Sequence, residues 1–254
     1  MLNKSDFTLT LKDFNNVGYI QQHPGLYINP SLKDKMEDKV FHYFRLDYLL
    51  EMLQSHRLYV SNRSQFSDKR EIGSKEDFHL TFHLFPVYRS ESEQEKSNEL
   101  LLKKIQSAYS VCISCWTFDK HPNTDENYMS WRCYGDNLCR VESTLSDLID
   151  SIVVGDNTIL ISSVQYKQDK TDYAAQDLIF SKHYAYQYEQ ELRIALLSTA
   201  SNIRLEVNLE RLIHKVRLSP FFSQRMCNMI KETLEKDYSL SGKIEKSHIL
   251  ENSR

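Results

Sequence analysis

Tyr188-Glu189-Gln190-Glu191-Leu192-Arg193-Ile194-Ala195-Leu196-Leu197 is the stretch on which the fold turns. Leu192, Ile194 and Leu196 alternate with Glu191, Arg193 and Ala195. Successive side chains of a strand point to opposite faces, so this period predicts a strand. If the strand starts early, Glu189, Glu191 and Arg193 share one face and the apolar residues line the other. Two acids and a base are costly to bury in a central strand unless something pairs or uses them. The row is therefore the leading candidate for a catalytic site. Its bland alternative is a cross-strand salt-bridge ladder, worth little where exposed.

Working outward, strands are expected at Val40–Arg45, Leu58–Ser61, Val111–Phe118, Ile159–Tyr166, Ile203–Val207, His214–Leu218 and Lys243–Ile249. Asp47 can cap a helix whose apolar face is Leu49, Leu50 and Leu53. Leu101, Leu102, Ile105 and Ala108 mark a second helix, Tyr128–Tyr134 a short third and Tyr173–Phe180 another. Gly135 to Cys139 reads as the run into a helix capped by Ser143 and extending through Leu148 and Ile152. A last helix starts at about Ser223, with Met226, Met229, Ile230, Thr233 and Leu234 at helical spacing. Polar stretches at 62–74, 89–98 and 119–127 read as loops. Residues 1–39 read as an irregular lead-in packed on the domain edge, with a turn at His23-Pro24-Gly25, and residues 40–254 as one domain. Strands and helices mix without strict βαβ alternation. The class is α+β, with mixed, largely antiparallel sheets flanked by helices.

At 254 residues the chain is long enough for a sizeable core. Only 6 Gly and 5 Pro argue against disorder and against glycine-rich phosphate loops, while 15 Tyr and 12 Phe predict aromatic walls for any pocket. A net charge of −3 excludes a global basic field for nucleic acid. Met1–Asp6 has no apolar core of signal-peptide length, and no run approaches the ~20 apolar residues of a membrane span. A cytosolic protein with no membrane contact is expected, its 5 cysteines reduced.

Cys112 and Cys115 are three apart in a strand and point to opposite faces, so they do not share a metal; inert core thiols are the expectation. No metal site is assigned. The histidines lack zinc-protease spacing, and no Gly-x-Ser-x-Gly, phosphate-loop or dinucleotide glycine motif is present. Arg45 ends the first strand of the domain and Ser61 the second. Arg45 is either a partner for Asp68 or Glu71 in the following loop, or a phosphate clamp, since a guanidinium forks onto both kinds of oxyanion. Trp131, Arg132 and Tyr134 are either core anchors or rings that stack on a planar ligand.

Phe41-His42-Tyr43-Phe44-Arg45, Leu58-Tyr59-Val60-Ser61 and Gln65-Phe66-Ser67-Asp68 resemble, in order, the opening of an uncharacterised bacterial family, domain of unknown function 2971. Ser114-Cys115-Trp116-Thr117, Met129–Tyr134, Phe180-x-Lys182 with Tyr188–Arg193, and Lys246–Ile249 resemble its later motifs. Lys69 and Arg70 depart from its proline and aromatic. A weaker likeness is to ADP-ribosyltransferases, through a basic residue on a first strand, a serine ending a second, and a late Glu-x-Glu. That likeness implies that Arg45 or His42 holds NAD, Ser61 supports the site, Glu191 is catalytic and Glu189 orients the acceptor. Tyr59 or Trp131 would pack the nicotinamide, with Asp68 and Tyr134 completing the binding set. NAD would be a substrate rather than a tightly bound cofactor, with a protein or nucleic acid as acceptor and a toxin or anti-phage role. Two other functions remain open: a nucleotide- or partner-binding domain without turnover, and a metal-dependent nuclease using Asp68, Glu71, Glu189 and Glu191.

Overall fold

The strand expected from Leu192, Ile194 and Leu196 forms over Glu191–Leu196 and is paired on both sides. The computed structural model describes residues 9–62, 111–118, 126–133, 135, 137–167, 179–197 and 203–250. Along the chain the strands are β1 (Ile20–His23), β2 (Leu26–Ile28), β3 (Lys39–Arg45), β4 (Arg57–Asn62), β5 (Cys112–Thr117), β6 (Leu138–Thr144) and β7 (Ile159–Ser163). They continue with β8 (Gln165–Lys167), β9 (Ser181–His183), β10 (Glu191–Leu196), β11 (Ile203–Glu206), β12 (Lys215–Leu218) and β13 (Ile244–Lys246). The helices are α1 (Leu46–Ser55), α2 (Tyr128–Cys133), α3 (Leu145–Ser151), α4 (Leu209–Leu212) and α5 (Gln224–Asp237), with 3₁₀ turns at Leu11–Val17, Pro30–Lys35 and Tyr184–Glu189.

The main sheet runs β1-β2-β7-β10-β5-β3-β6-β12-β13, with β4 pairing β5 and β11 pairing β4. Most neighbours are antiparallel; β2 with β7 and β12 with β13 are parallel, as are β8 and β9 in a separate pair. The chain is thus α+β with a mixed, mostly antiparallel sheet, as its patterning predicts.

Leu192, Ile194 and Leu196 enter the larger core cluster with Val40, Phe44, Trp116, Val141 and Ile161. Ala195 faces the other way, into a smaller cluster with Phe14, Ile113, Leu160 and Phe180. Helices α1, α3 and α5 cover the first face through Leu49, Leu53, Leu148, Ile149 and Leu234. Among the described residues, no helix is long and apolar enough to cross a membrane.

Four local expectations are corrected. Leu138–Thr144 is a strand, not a helix entry, and the cap of α3 is Thr144, whose hydroxyl accepts from Asp147 N at 3.1 Å. Asp47 does not cap α1; Arg45 occupies that position and Asp47 lies in the first turn. The strand expected over Ile159–Tyr166 breaks at Val164, whose N–H turns to the Glu191 carbonyl. The lead-in, expected to be irregular, contributes the strands β1 and β2 to the sheet and buries Phe14, Leu26, Ile28 and Leu32. The expected loops at 63–74, 89–98 and 119–125, the helix around Leu101–Ala108, most of the Tyr173–Phe180 helix, and Asp68, Glu71 and Tyr134 lie outside the described residues.

Candidate functional site

Strands β3 and β4 pair with the same edge of β5. β3 meets it only at Phe41 with Thr117, near the end of β5, and β4 at Ser61 with Ile113 and Asn62 with Cys112, near its start. Two strands cannot both follow one edge, so between these contacts the sheet parts, and α1 carries the chain from β3 to β4 across the gap. The opening is a cavity of about 400 Å³, at the small end of ligand pockets. His42, Phe44, Trp116, Tyr48 and Tyr59 supply aromatic walls; Arg45, Ser61, Ser114, Cys115, Thr117, Glu189 and Glu191 supply polar groups.

Six of the residues singled out in the sequence therefore converge: His42, Arg45, Tyr59, Ser61, Glu189 and Glu191. Three described candidates do not line the cavity, one of them the exposed Arg132, whose guanidinium lies 5.2 Å from the Phe221 ring. Arg193 is fully buried behind Glu191, giving Nε to Oε1 at 2.7 Å and Nη2 to Oε2 at 3.0 Å, with Nη1 on the Ile179 carbonyl at 2.6 Å. Trp131 is also fully buried, its indole N–H on Glu126 Oε2 at 3.0 Å and its ring set edge-on to Tyr43. Its role is anchoring.

Glu191 is ionised. Burial would raise its carboxyl, but Arg193 and Lys182 outweigh burial and hold it down at about 2. Lys182 Nζ lies 3.6 Å from Glu191 Oε2 and 2.7 Å from Glu189 Oε2. The Cys115 thiol also donates to Glu191, so Cys115 is a wall of the cavity, not an inert core thiol. Tyr166 on β8 accepts the Glu191 backbone N–H at 2.8 Å, and burial raises its phenol above the ordinary range.

Glu189 reaches the cavity by a route the alternation did not predict. It ends the Tyr184–Glu189 turn instead of opening the strand, and Gln190 follows in the left-handed region at φ 45°, ψ 46°. Thr117 Oγ1 donates to the Glu189 carbonyl at 2.6 Å and Asn127 Nδ2 to the Tyr188 carbonyl at 3.2 Å, which fixes this kink. A left-handed non-glycine residue carries a cost of about 1–2 kcal/mol. Gln190→Gly should leave unfolding free energy within about 1 kcal/mol of wild type, because relief of strain and lost backbone restriction oppose each other. Gln190→Val should cost about 1–3 kcal/mol; urea denaturation checks both.

His42, also lining the cavity, is half-buried and stacks on Trp116 at 5.0 Å. Its Nδ1 lies 2.5 Å from the Cys115 carbonyl. A carbonyl only accepts, so Nδ1 carries the proton and Nε2 the lone pair. Burial lowers this imidazole to about 4, against a smaller upward pull from the Cys115 bond, so His42 is a neutral acceptor near pH 7. Arg45 is exposed and forks onto Asp47, Nε to Oδ1 at 3.0 Å and Nη2 to Oδ2 at 2.9 Å. Exposed pairs of this kind are weak, and a phosphate can compete for the same donors. Tyr48 and Tyr59 stack at 5.2 Å beside it, with the Arg204 guanidinium 4.7 Å from the Tyr59 ring.

The residue missed in the sequence is Lys182. It stood in the quoted Phe180-x-Lys182 pair without a role, and only the turn from Tyr184 to Gln190 brings it onto both glutamates. No protein-family model matches the chain, and no curated protein matches it.

Proposed function

We propose that this protein is an ADP-ribosyltransferase-like enzyme that consumes NAD, related to the uncharacterised family, domain of unknown function 2971. One observation carries it: two carboxylates, a neutral histidine and an exposed arginine line a single aromatic cavity. The nicotinamide ring packs against the stacked His42–Trp116 pair and Tyr59, and Arg45 moves from Asp47 to the diphosphate. Breaking the bond from ribose C1 to the pyridinium nitrogen sends the electron pair out with neutral nicotinamide and leaves positive charge on the sugar. The fixed, ionised Glu191 faces that charge, and His42 Nε2 accepts from a ribose hydroxyl. Ser61 supports the ribose. A cytosolic toxin or anti-phage role is part of the same proposal, with a protein or nucleic-acid acceptor.

The nuclease alternative is disfavoured because Lys182 and Arg193 already neutralise Glu189 and Glu191. A binding domain without turnover is the second reading, favoured by the engagement of both Glu191 oxygens.

Incubation with NAD, followed by chromatography of released nicotinamide, tests the proposal. Wild type should release it, and Glu191→Gln should reduce the rate about 10²–10³-fold, as expected for a preorganised charge. Arg45→Ala should raise KM more than it lowers kcat. No release above the Glu191→Gln background, with protein and nucleic-acid acceptors present, overturns the enzyme. NAD binding without release leaves the second reading.

A further inference from the structure

We propose that Lys182 is the positioning residue of this site: its ammonium keeps Glu189 a carboxylate beside Glu191, so that Glu189 takes the proton of the incoming acceptor. The proposal rests on the transferase reading. Its ground is the reach of Lys182 to both acids and the unequal exposure of the two. Glu191 is held by two bonds from Arg193, by Lys182 and by the Cys115 thiol, and its side chain is only 4% exposed. Such a carboxylate stabilises charge but is badly placed to accept a proton. Glu189 is 14% exposed and lies on the cavity wall, with Lys182 on its Oε2 at 2.7 Å.

Among the described residues, the charged and titratable groups around Lys182 include Glu189 and Tyr186 from the 3₁₀ turn, Glu191 and Arg193 from β10, Tyr166 from β8 and Cys115 from β5. Without Lys182, the two neighbouring carboxylates lose the ammonium that lies on both, and their mutual repulsion favours a proton on one of them. Arg193 stays on Glu191, so the proton goes to Glu189. In the reaction, the acceptor's O–H or N–H bond breaks as its oxygen or nitrogen bonds to ribose C1. The C1–nitrogen bond to nicotinamide breaks with its electron pair on the leaving group, and the acceptor proton ends on Glu189. Lys182 gains and loses nothing.

The test is the pH profile of nicotinamide release, with water as acceptor, in wild type, Lys182→Met and Lys182→Arg. Carbon-13 titration of labelled glutamate carboxyls runs in parallel, Glu189 being assigned through Glu189→Gln. Lys182→Met should move the acid limb and the Glu189 titration upward by about 1–3 pH units, and Lys182→Arg should restore both. Lys182→Gln, which removes the charge but keeps a donor, replaces Lys182→Met if that variant does not fold. A lowered melting temperature with acid limb and titration both unmoved overturns the proposal, because a merely structural lysine does only that. A Glu189 titration that moves in a protein releasing no nicotinamide sinks the transferase reading and upholds the hold of Lys182 on Glu189.

Discussion

Arg193→Met is expected to lower the unfolding free energy by about 3–5 kcal/mol, the cost of leaving one member of a buried ion pair behind. Against a total of about 5–15 kcal/mol for a typical domain, that brings the protein close to unfolding. Arg193 has no exposure at all and spends its guanidinium on Glu191 and the Ile179 carbonyl. Methionine fills similar volume but returns no hydrogen bond. The loss is therefore electrostatic and polar rather than steric. Glu191→Leu combined with Arg193→Met should recover much of it, since an apolar pair of matching volume is often as stable as a buried ionic one. The pH dependence separates this account from simple loss of packing. In wild type, Glu191 sits at about 2 against an ordinary 4.5. Its folded value is depressed, so its contribution is present above about 4.5 and is lost as pH falls toward 2. In Arg193→Met the carboxyl moves upward, because burial is then opposed mainly by Lys182. Acid should therefore narrow the gap between variant and wild type. Urea titrations at pH 7 and pH 4 measure this directly, and a gap that stays constant would mean the arginine acts by packing.

What local pattern could and could not show follows from where each side chain finds its partner. β10, β3 and β4 were legible because their apolar residues recur at the period of the element and face one core, and α5 keeps the helical period although Met226 and Met229 are exposed and its core contact comes from Cys227, Ile230 and Leu234. β6 was not, although Cys139, Val141 and Ser143 alternate with Arg140 and Glu142. A charged residue normally marks an exposed face, but here Arg140 is buried 4.1 Å from the Phe41 ring and Glu142 is held by Lys39 at 2.6 Å. Both partners lie on β3, about a hundred positions earlier in the chain, beyond any local window. The same distance in sequence hides the cavity. Its residue types were legible as a set, whereas the parting of β3 from β5 that makes room for a ligand depends on two strands competing for one edge. Glu189 shows the limit most clearly. Alternation put it beside Glu191 for the wrong reason; a left-handed Gln190, held by Thr117 and Asn127, is what turns it there.

Trp131→Ala should cost about 3–5 kcal/mol of stability, as truncation of a buried aromatic does, while changing NAD affinity of the folded protein only slightly. The sequence alone left the ring's role open between anchor and stacking platform, and the two make opposite predictions. As an anchor, Trp131 ties α2 to the far side of the sheet. Its N–H reaches Glu126, which also accepts from Arg217 Nη1 at 2.9 Å and from the Ser247 hydroxyl. Glu126, Arg217 and Ser247 come from three separate segments, so loss of the indole loosens a junction as well as opening a void. Trp131→Phe keeps most of the volume and removes only the bond to Glu126, and should cost about 1–3 kcal/mol, toward the low end because Arg217 and Ser247 still satisfy that carboxylate. A stacking platform would behave differently: alanine would abolish affinity, phenylalanine would retain it, and stability would hardly change. Chemical denaturation paired with NAD titration on both variants decides between them. Tyr43, edge-on to Trp131 at 5.0 Å and itself a wall of the cavity, is the route by which a small affinity change could still arise.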